Sequence, residues 1–162
     1  MKAPHNWNSR SLRALAPLAL MAGALMGAHG SAAAAPLTTV NGNMCKPYGN
    51  SATSGLYSYT NSVYNASGGS MYVNCPVVRT VSAPATGYTI WVDGNAGSGT
   101  TTCWLYSYNY DGSYMGGTSF AATGVFDRTL TLTAAMVPYY SSQSLLCYVP
   151  NGGSMYDVEP VQ

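Results

Sequence analysis

Histidine is almost absent from this sequence, and the only two, His5 and His29, both precede residue 35. A Ser-His-Asp or Cys-His catalytic centre needs an imidazole to carry the proton, and many zinc and copper sites use one as a ligand. If the first 34 residues are removed, no imidazole remains. We therefore expect no such catalytic centre, no histidine-based metal site, no cofactor and no enzyme activity.

Basic residues are also scarce beyond residue 34. Lys46, Arg79 and Arg128 stand against all five acidic residues, which gives a formal net charge of −2 for this part of the chain. Without a basic cluster, nucleic acid and anionic membrane surfaces are unlikely to be partners. Aromatic residues nevertheless make up 12% of the chain, and disordered chains are usually poor in them. We expect residues 35–162 to form one folded domain with a real core.

The N-terminus has the pattern of a secretory signal peptide. Lys2, Arg10 and Arg13 supply positive charge, the stretch from Leu12 to Ala28 is almost entirely apolar or small, and a run of small residues follows it to Ala35. This order of charged, apolar and small segments is typical of export signals. We predict a cleaved signal peptide over residues 1–34 and a secreted or periplasmic protein.

A membrane anchor is the alternative interpretation of the same segment. An anchor needs about 20 continuous apolar residues, whereas this apolar core is shorter and is interrupted by one proline and two glycines. The export signal is therefore favoured, and we expect no membrane insertion after cleavage.

The four cysteines, Cys45, Cys75, Cys103 and Cys147, all follow the predicted leader. An even number in an exported domain indicates two disulfides, for which three pairings are possible. We favour Cys45–Cys75 with Cys103–Cys147, so that each closes one half of the domain. A metal site would require closely spaced pairs such as C-x-x-C, and none is present.

Apolar and polar residues alternate with a period of two in several segments, which is the pattern of β-strands. Five residue pairs between these segments indicate tight turns: Gly68-Gly69, Asp93-Gly94, Asp111-Gly112, Gly116-Gly117 and Asn151-Gly152. We predict an all-β antiparallel sandwich, immunoglobulin-like or jelly-roll-like, with a small barrel as the alternative. A short helix is possible only within residues 132–140. In each of these segments, one face carries the aliphatic residues and the cysteines. The residues on these faces are Met71, Val73, Cys75, Val77, Tyr88, Ile90, Val92, Cys103, Leu105, Leu130, Leu132, Leu145, Cys147 and Val149.

Two acidic pairs deserve consideration as reactive groups. Asp93 and Asp111 could in principle flank a sugar bond, because glycosidases need only two carboxyl groups. Each, however, precedes a glycine, and a turn already explains that arrangement. Asp157 and Glu159 share one strand face and could bind calcium weakly, but a pair supplies too few ligands. A carboxylate-dependent hydrolase is a remote alternative.

One segment recurs: Gly68-Gly69-Ser70-Met71-Tyr72 is repeated as Gly152-Gly153-Ser154-Met155-Tyr156. A duplication would require similarity beyond five residues, and the sequences that follow differ. We interpret the recurrence as two turns of similar chemistry, each entering a strand.

An aromatic stripe is the strongest functional candidate: Trp104, Tyr106, Tyr108 and Tyr110 alternate with Cys103 and Leu105. Flat rings on an exposed sheet face would suit carbohydrate stacking, another cell-surface component, or self-association. The same rings could instead form the core, or could simply stabilise neighbouring strands. We therefore weigh a non-catalytic binding module first, and a structural or self-associating envelope protein second.

The segments Cys45-Lys46-Pro47-Tyr48, Cys75-Pro76-Val77-Val78-Arg79, Thr102-Cys103 and Leu146-Cys147-Tyr148-Val149-Pro150 resemble a group of uncharacterised small secreted proteins of Gram-negative bacteria. The resemblance covers nearly the whole predicted domain and rests on cysteine placement and aromatic content. It implies a disulfide-bonded β fold and assigns no functional residues.

Overall fold

The computed structural model describes residues 39–49, 54–79 and 87–161, all within one compact unit, Ala35–Gln162. The predicted signal peptide and its boundary lie outside the described residues. Nine strands form the fold: β1 (Val40–Asn41), β2 (Lys46–Pro47), β3 (Leu56–Ser58), β4 (Val63–Asn65), β5 (Met71–Pro76), β6 (Tyr88–Tyr108), β7 (Tyr114–Leu132), β8 (Ser142–Val149) and β9 (Ser154–Val161).

All of the strand pairs are antiparallel, and two long strands organise them. Strand β6 pairs with β7 along nearly its whole length, while its other edge pairs with β9 near its start and with β8 near its end. The front layer, as we name it, contains β2, β5, β8 and the adjoining halves of β6 and β7. The back layer contains β1, β3, β4, β9 and the remaining halves of β6 and β7.

The buried residues of both layers pack into one hydrophobic cluster, so the chain forms a β-sandwich whose layers are joined through β6 and β7. The alternation in the sequence correctly predicts which strand residues point into the core. Ile90, Val92 and Leu130 of the back layer and Leu105 and Leu145 of the front layer are all at most 1% exposed. The predicted all-β antiparallel sandwich is confirmed.

Two predicted turns are wrong, because the glycines that indicated them lie inside strands. Asp93-Gly94 and the glycine-rich stretch to Gly99 belong to β6, and Gly116-Gly117 belongs to β7. A Cβ on Gly94 would overlap the Phe126 ring and the Ser154 carbonyl oxygen. Glycine is therefore needed there for close packing against neighbouring strands, and no chain reversal occurs.

Both disulfides join the favoured cysteine pairs, Cys45–Cys75 and Cys103–Cys147. Cys103 and Cys147 lie directly opposite each other on β6 and β8. All four cysteines are at most 1% exposed, so the disulfides are part of the core.

The two Gly-Gly-Ser-Met-Tyr segments meet at Asn65, the last residue of β4. The Asn65 side chain donates to the carbonyls of Gly69 (2.8 Å) and Val149 (2.9 Å), and its Oδ1 accepts from the Ser67 amide (3.0 Å). The Asn65 backbone also exchanges hydrogen bonds with Gly152 and Gly153. A fully buried amide thus ties β4 of the back layer to one end of the front layer, where the start of β5 lies beside the end of β8.

Helical structure in the described residues is limited to two 3-10 turns, Gly42–Met44 and Ala134–Met136. The second falls within the segment where a short helix was considered. No helix in the described ranges has the length and apolar character needed to cross a bilayer.

Candidate functional site

The aromatic stripe lies on the outer face of the front layer. Cys103 and Leu105 are completely buried, so Trp104, Tyr106 and Tyr108 point away from the core and are half-buried. This orientation removes the interpretation in which the stripe forms the core. The rings are available to a ligand unless another molecule covers them.

Strand pairing adds aromatic residues to the stripe from neighbouring strands. Tyr72 of β5 lies opposite Tyr148 of β8, and Tyr148 in turn lies opposite Thr102 of β6. The centroids of the Tyr72 and Tyr148 rings are 5.0 Å apart, and those of Tyr72 and Trp104 are 6.3 Å apart. The rings therefore continue across three strands, which is also the arrangement that stabilises a sheet through cross-strand pairs.

A second group of rings lies at the other end of the stripe. Tyr114, the first residue of β7, has its ring centroid 6.2 Å from that of Tyr106 and 5.9 Å from that of Tyr108. Gly117 lies opposite Tyr106, and a Cβ there would come within 3.0 Å of both the Tyr106 ring and the Tyr114 hydroxyl. The missing side chain at residue 117 thus gives these two rings room over β7. We name the whole set the aromatic surface: Tyr48, Tyr72, Trp104, Tyr106, Tyr108, Tyr114 and Tyr148.

An open depression of about 260 Å³ lies between the two ring groups. Leu146 lies among the rings that line it, opposite both Trp104 on β6 and Asn74 on β5. Tyr48 is held at the edge because its amide donates to the Tyr72 carbonyl at 2.9 Å. The lining residues are Tyr48, Tyr72, Trp104, Tyr106 and Leu146.

Several tyrosine hydroxyls lie close to one another on this surface. The pKa of the Tyr106 phenol is raised, first because burial disfavours its charged form and then because other phenols are nearby. Tyr106 therefore remains a neutral hydroxyl that can donate or accept a hydrogen bond at physiological pH. The phenols that contribute are those of Tyr108, Tyr114, Tyr48 and Tyr72.

Tyr110, which was predicted to belong to the stripe, does not. Strand β6 ends at Tyr108, and Tyr110 lies in the following turn with 79% of its surface exposed. Its ring pairs with that of Tyr140, at a centroid distance of 6.3 Å. The alternation fails because the chain reverses at Asp111-Gly112, where Gly112 has a φ of 81°.

Charge is nearly absent from the aromatic surface. Lys46 is the one charged residue among the described strand residues of the front layer, and it lies at the edge, on β2. The polar side chains there are neutral, such as Asn74, whose Oδ1 accepts from the Ser144 hydroxyl at 2.8 Å. The arrangement combines flat apolar rings with uncharged hydrogen-bonding groups.

The outer face of the back layer has the opposite character. Asp93 of β6 lies between Asp127 of β7 and Asp157 of β9, and Glu159 follows on the same face of β9. Within the described ranges, these carboxyl groups are not arranged as a cluster that could hold a metal ion.

The remote hydrolase pair is not brought together. Asp93 lies within the back half of β6, whereas Asp111 lies in the turn after its front half, where it accepts hydrogen bonds from Ser113. Asp93 instead lies opposite Asp127 on the neighbouring strand β7.

The acidic face predicts a specific dependence of stability on pH. The pKa of the Asp93 carboxyl is raised to about 6, mainly by burial and then by the adjacent Asp127. Because the folded protein holds this proton more tightly than the unfolded chain, we expect the free energy of unfolding to fall as pH rises from 4 to 6 and to level off above. Asp93→Asn should remove this loss and stabilise the protein at pH 7 by about 1 kcal/mol, after allowance for solvent screening.

Urea unfolding of the wild type and Asp93→Asn at several pH values measures this effect. Asp111→Asn is the matched control, because the Ser113 hydrogen bonds lower the pKa of Asp111 and its replacement cannot remove a loss between pH 4 and 6. An unchanged pH profile in Asp93→Asn would contradict the prediction.

No protein-family model matches the sequence, and no curated protein does either. Solved structures with some likeness include TmCBM61 in complex with β-1,4-galactotriose, at 12% identity and a TM-score of 0.41 over 78% of this chain and 88% of that one. A second is the carbohydrate-binding module CBM36 with calcium and xylotriose, at 18% identity and a TM-score of 0.39 over 75% and 97% of the two chains. A third is the C-terminal CBM6 of LamC, a laminarinase of Zobellia galactanivorans, at 11% identity and a TM-score of 0.41 over 78% and 100%.

Sequence reasoning found the centre of the aromatic surface and missed its periphery. The contributions of Tyr48, Tyr72, Tyr114 and Tyr148 depend on which strands are neighbours, and the sequence does not state this. Tyr72 and Tyr148 each lie next to an inward-facing residue of a predicted strand, so alternation alone could have marked them as outward-facing.

Proposed function

We propose that this protein is an exported, non-catalytic binding module that recognises carbohydrate through the aromatic surface. The observation that carries the proposal is the exposed depression of about 260 Å³ lined by Trp104 and three tyrosines. Aromatic faces can stack on the apolar faces of sugar rings, while tyrosine hydroxyls and Asn74 supply hydrogen bonds. Among the described strand residues of this layer, Lys46 alone is charged, which suits an uncharged ligand.

Export is part of the same proposal. The predicted leader supplies the signal, and two buried disulfides are typical of proteins that fold in an oxidising compartment. Such a protein would meet cell-wall or extracellular polysaccharides directly.

Trp104→Ala tests the proposal on a glycan array and by titration with the glycan that binds best. Removing one stacked ring from the depression should weaken binding by about tenfold or more, and Tyr106→Ala should weaken it to a similar extent. Trp91→Ala is the matched control, because Trp91 is 45% exposed on the outer face of the back layer. Equal loss in Trp91→Ala and Trp104→Ala, or no glycan binding by the wild type, would contradict the proposal.

Self-association is the second candidate, and the exposed edge of β7 favours it. This strand is 19 residues long, β6 is its one partner among the described strands, and its charged residues are Asp127 and Arg128. Long edge strands with little charge tend to pair with another chain. Sedimentation over a wide range of protein concentrations would detect such assembly, and Val125→Lys, at a position 78% exposed, should prevent it.

A further inference from the structure

We propose that the ligand is the interior of a linear, uncharged polysaccharide that lies diagonally across the front layer from Tyr72 to Tyr114; this rests on the carbohydrate recognition proposed above. The inference concerns which part of a glycan is bound and how much of it. It follows from the length of the aromatic surface, the position of the depression within it, and its charge.

The aromatic surface is much longer than a single sugar ring. Tyr72 lies on β5 at the level of Thr102, whereas Tyr114 lies on β7 at the level of Tyr108. Six residues along β6 and three strand spacings across the sheet separate them, which corresponds to a diagonal of about 25 Å. A ligand that contacts both ends must therefore be a chain of several sugars.

The depression occupies only part of this diagonal, because Tyr72 lines it whereas Tyr108 and Tyr114 do not. Tyr148 extends the rings beyond it on one side, and Tyr108 with Tyr114 extends them on the other. A terminal monosaccharide would fill the depression and leave the outer rings unused. A continuous chain uses the depression for one sugar and stacks its neighbours on the flanking rings.

The charge of the surface selects the class of polysaccharide. Uronic acid and sulfated polysaccharides are usually held by arginine and lysine side chains. Among the described strand residues of this layer, only Lys46 is cationic, and it lies on the edge strand β2, opposite Asn74. Neutral sugars are matched by the hydroxyl and amide groups of Tyr106, Ser144 and Asn74.

A series of oligosaccharides of increasing length tests the proposal with the wild-type protein. The neutral polysaccharide that gives the strongest array signal is cut by mild acid hydrolysis, separated into fractions from disaccharide to octasaccharide, and titrated calorimetrically. We expect affinity to rise by about tenfold or more from the disaccharide to the hexasaccharide and then to level off, as successive rings are engaged.

Two variants locate the ends of the bound chain. Tyr72→Ala and Tyr114→Ala should each weaken hexasaccharide binding by roughly fivefold, and Tyr114→Ala, outside the depression, should leave disaccharide binding unchanged. Tyr72→Phe retains the ring and should bind nearly as well as the wild type, whereas Trp104→Ala should weaken both ligands.

Three results would overturn the inference while leaving carbohydrate binding intact. These are equal affinity for the disaccharide and the octasaccharide, the strongest array signal on an anionic polysaccharide, and equal loss of disaccharide binding in Tyr72→Ala and Tyr114→Ala. A complete absence of glycan binding is a different result, because it contradicts the proposed function itself.

Discussion

Replacing Cys103 and Cys147 together by alanine is expected to lower the free energy of unfolding by about 4 kcal/mol. The disulfide joins residues 44 positions apart, so its loss greatly increases the conformational freedom of the unfolded chain. Both cysteines are fully buried between β6 and β8, and their replacement also leaves a small cavity. Domains of this size have a total stability of only about 5–15 kcal/mol, so the variant should be close to unfolding.

Urea unfolding monitored by tryptophan fluorescence measures this loss. The double variant Cys45→Ala and Cys75→Ala is the comparison, because its loop of 30 residues predicts a slightly smaller loss, about 3.5 kcal/mol. It should also loosen β2, which pairs with β5 at two residues only, and so disturb Tyr48 at the edge of the depression. A loss below about 1 kcal/mol in the Cys103 and Cys147 variant would show that sheet pairing alone holds these strands.

The sequence predicted the buried faces well, because strand alternation depends only on local geometry. Leu145, Cys147 and Val149 point inward, and so do Met71, Val73 and Cys75, whatever the order of the strands. Placing cysteines on the same faces as aliphatic residues also indicated that the disulfides border the core. Because Cys103 is buried, the alternation along β6 places the rings of the stripe on the outer face of the sheet.

The sequence could not predict where chain reversals fall among so many glycines. Gly94 and Gly117 look like turn residues, yet both lie in strands because a neighbouring ring or backbone occupies the space of a side chain. Gly112 and Gly152, with φ values of 81° and 80°, lie in turns as predicted. The two uses of glycine differ in the backbone φ and in what packs against the Cα atom, and both depend on the tertiary fold.

The acidic face was missed for a related reason. Asp93, Asp127 and Asp157 are far apart in sequence and become neighbours only because β6 lies between β7 and β9. A strand pairing of this kind requires the layer topology, which period-two alternation does not supply. The result is a nearly uncharged aromatic face on one layer and an acidic face on the other.

Asn65→Ala is expected to destabilise the protein by about 3–4 kcal/mol, which is large for a polar residue. Asn65 is completely buried, and its side chain donates to two backbone carbonyls and accepts from one backbone amide, although the Gly69 carbonyl also accepts from the Ser67 hydroxyl at 2.9 Å. Without it, the carbonyls of Gly69 and Val149 lose a donor and the Ser67 amide loses an acceptor. The bond to Val149 is buried, and an unsatisfied buried group costs about 1–3 kcal/mol, whereas the bonds to Gly69 and Ser67 are partly buried and each adds less.

Asn151→Ala is the matched control for this prediction, since Asn151 makes a comparable bond to the Gly68 amide, at 3.0 Å, but in an exposed position. Its loss should cost no more than about 0.5–1 kcal/mol, because water can replace the bond. Asn65→Asp should be at least as harmful as Asn65→Ala, since it turns the donor into an acceptor that faces two carbonyl oxygens. If urea unfolding gave similar stabilities for Asn65→Ala and Asn151→Ala, the two turns would not depend on Asn65, and the layers would be held together by core packing and by β6 and β7 alone.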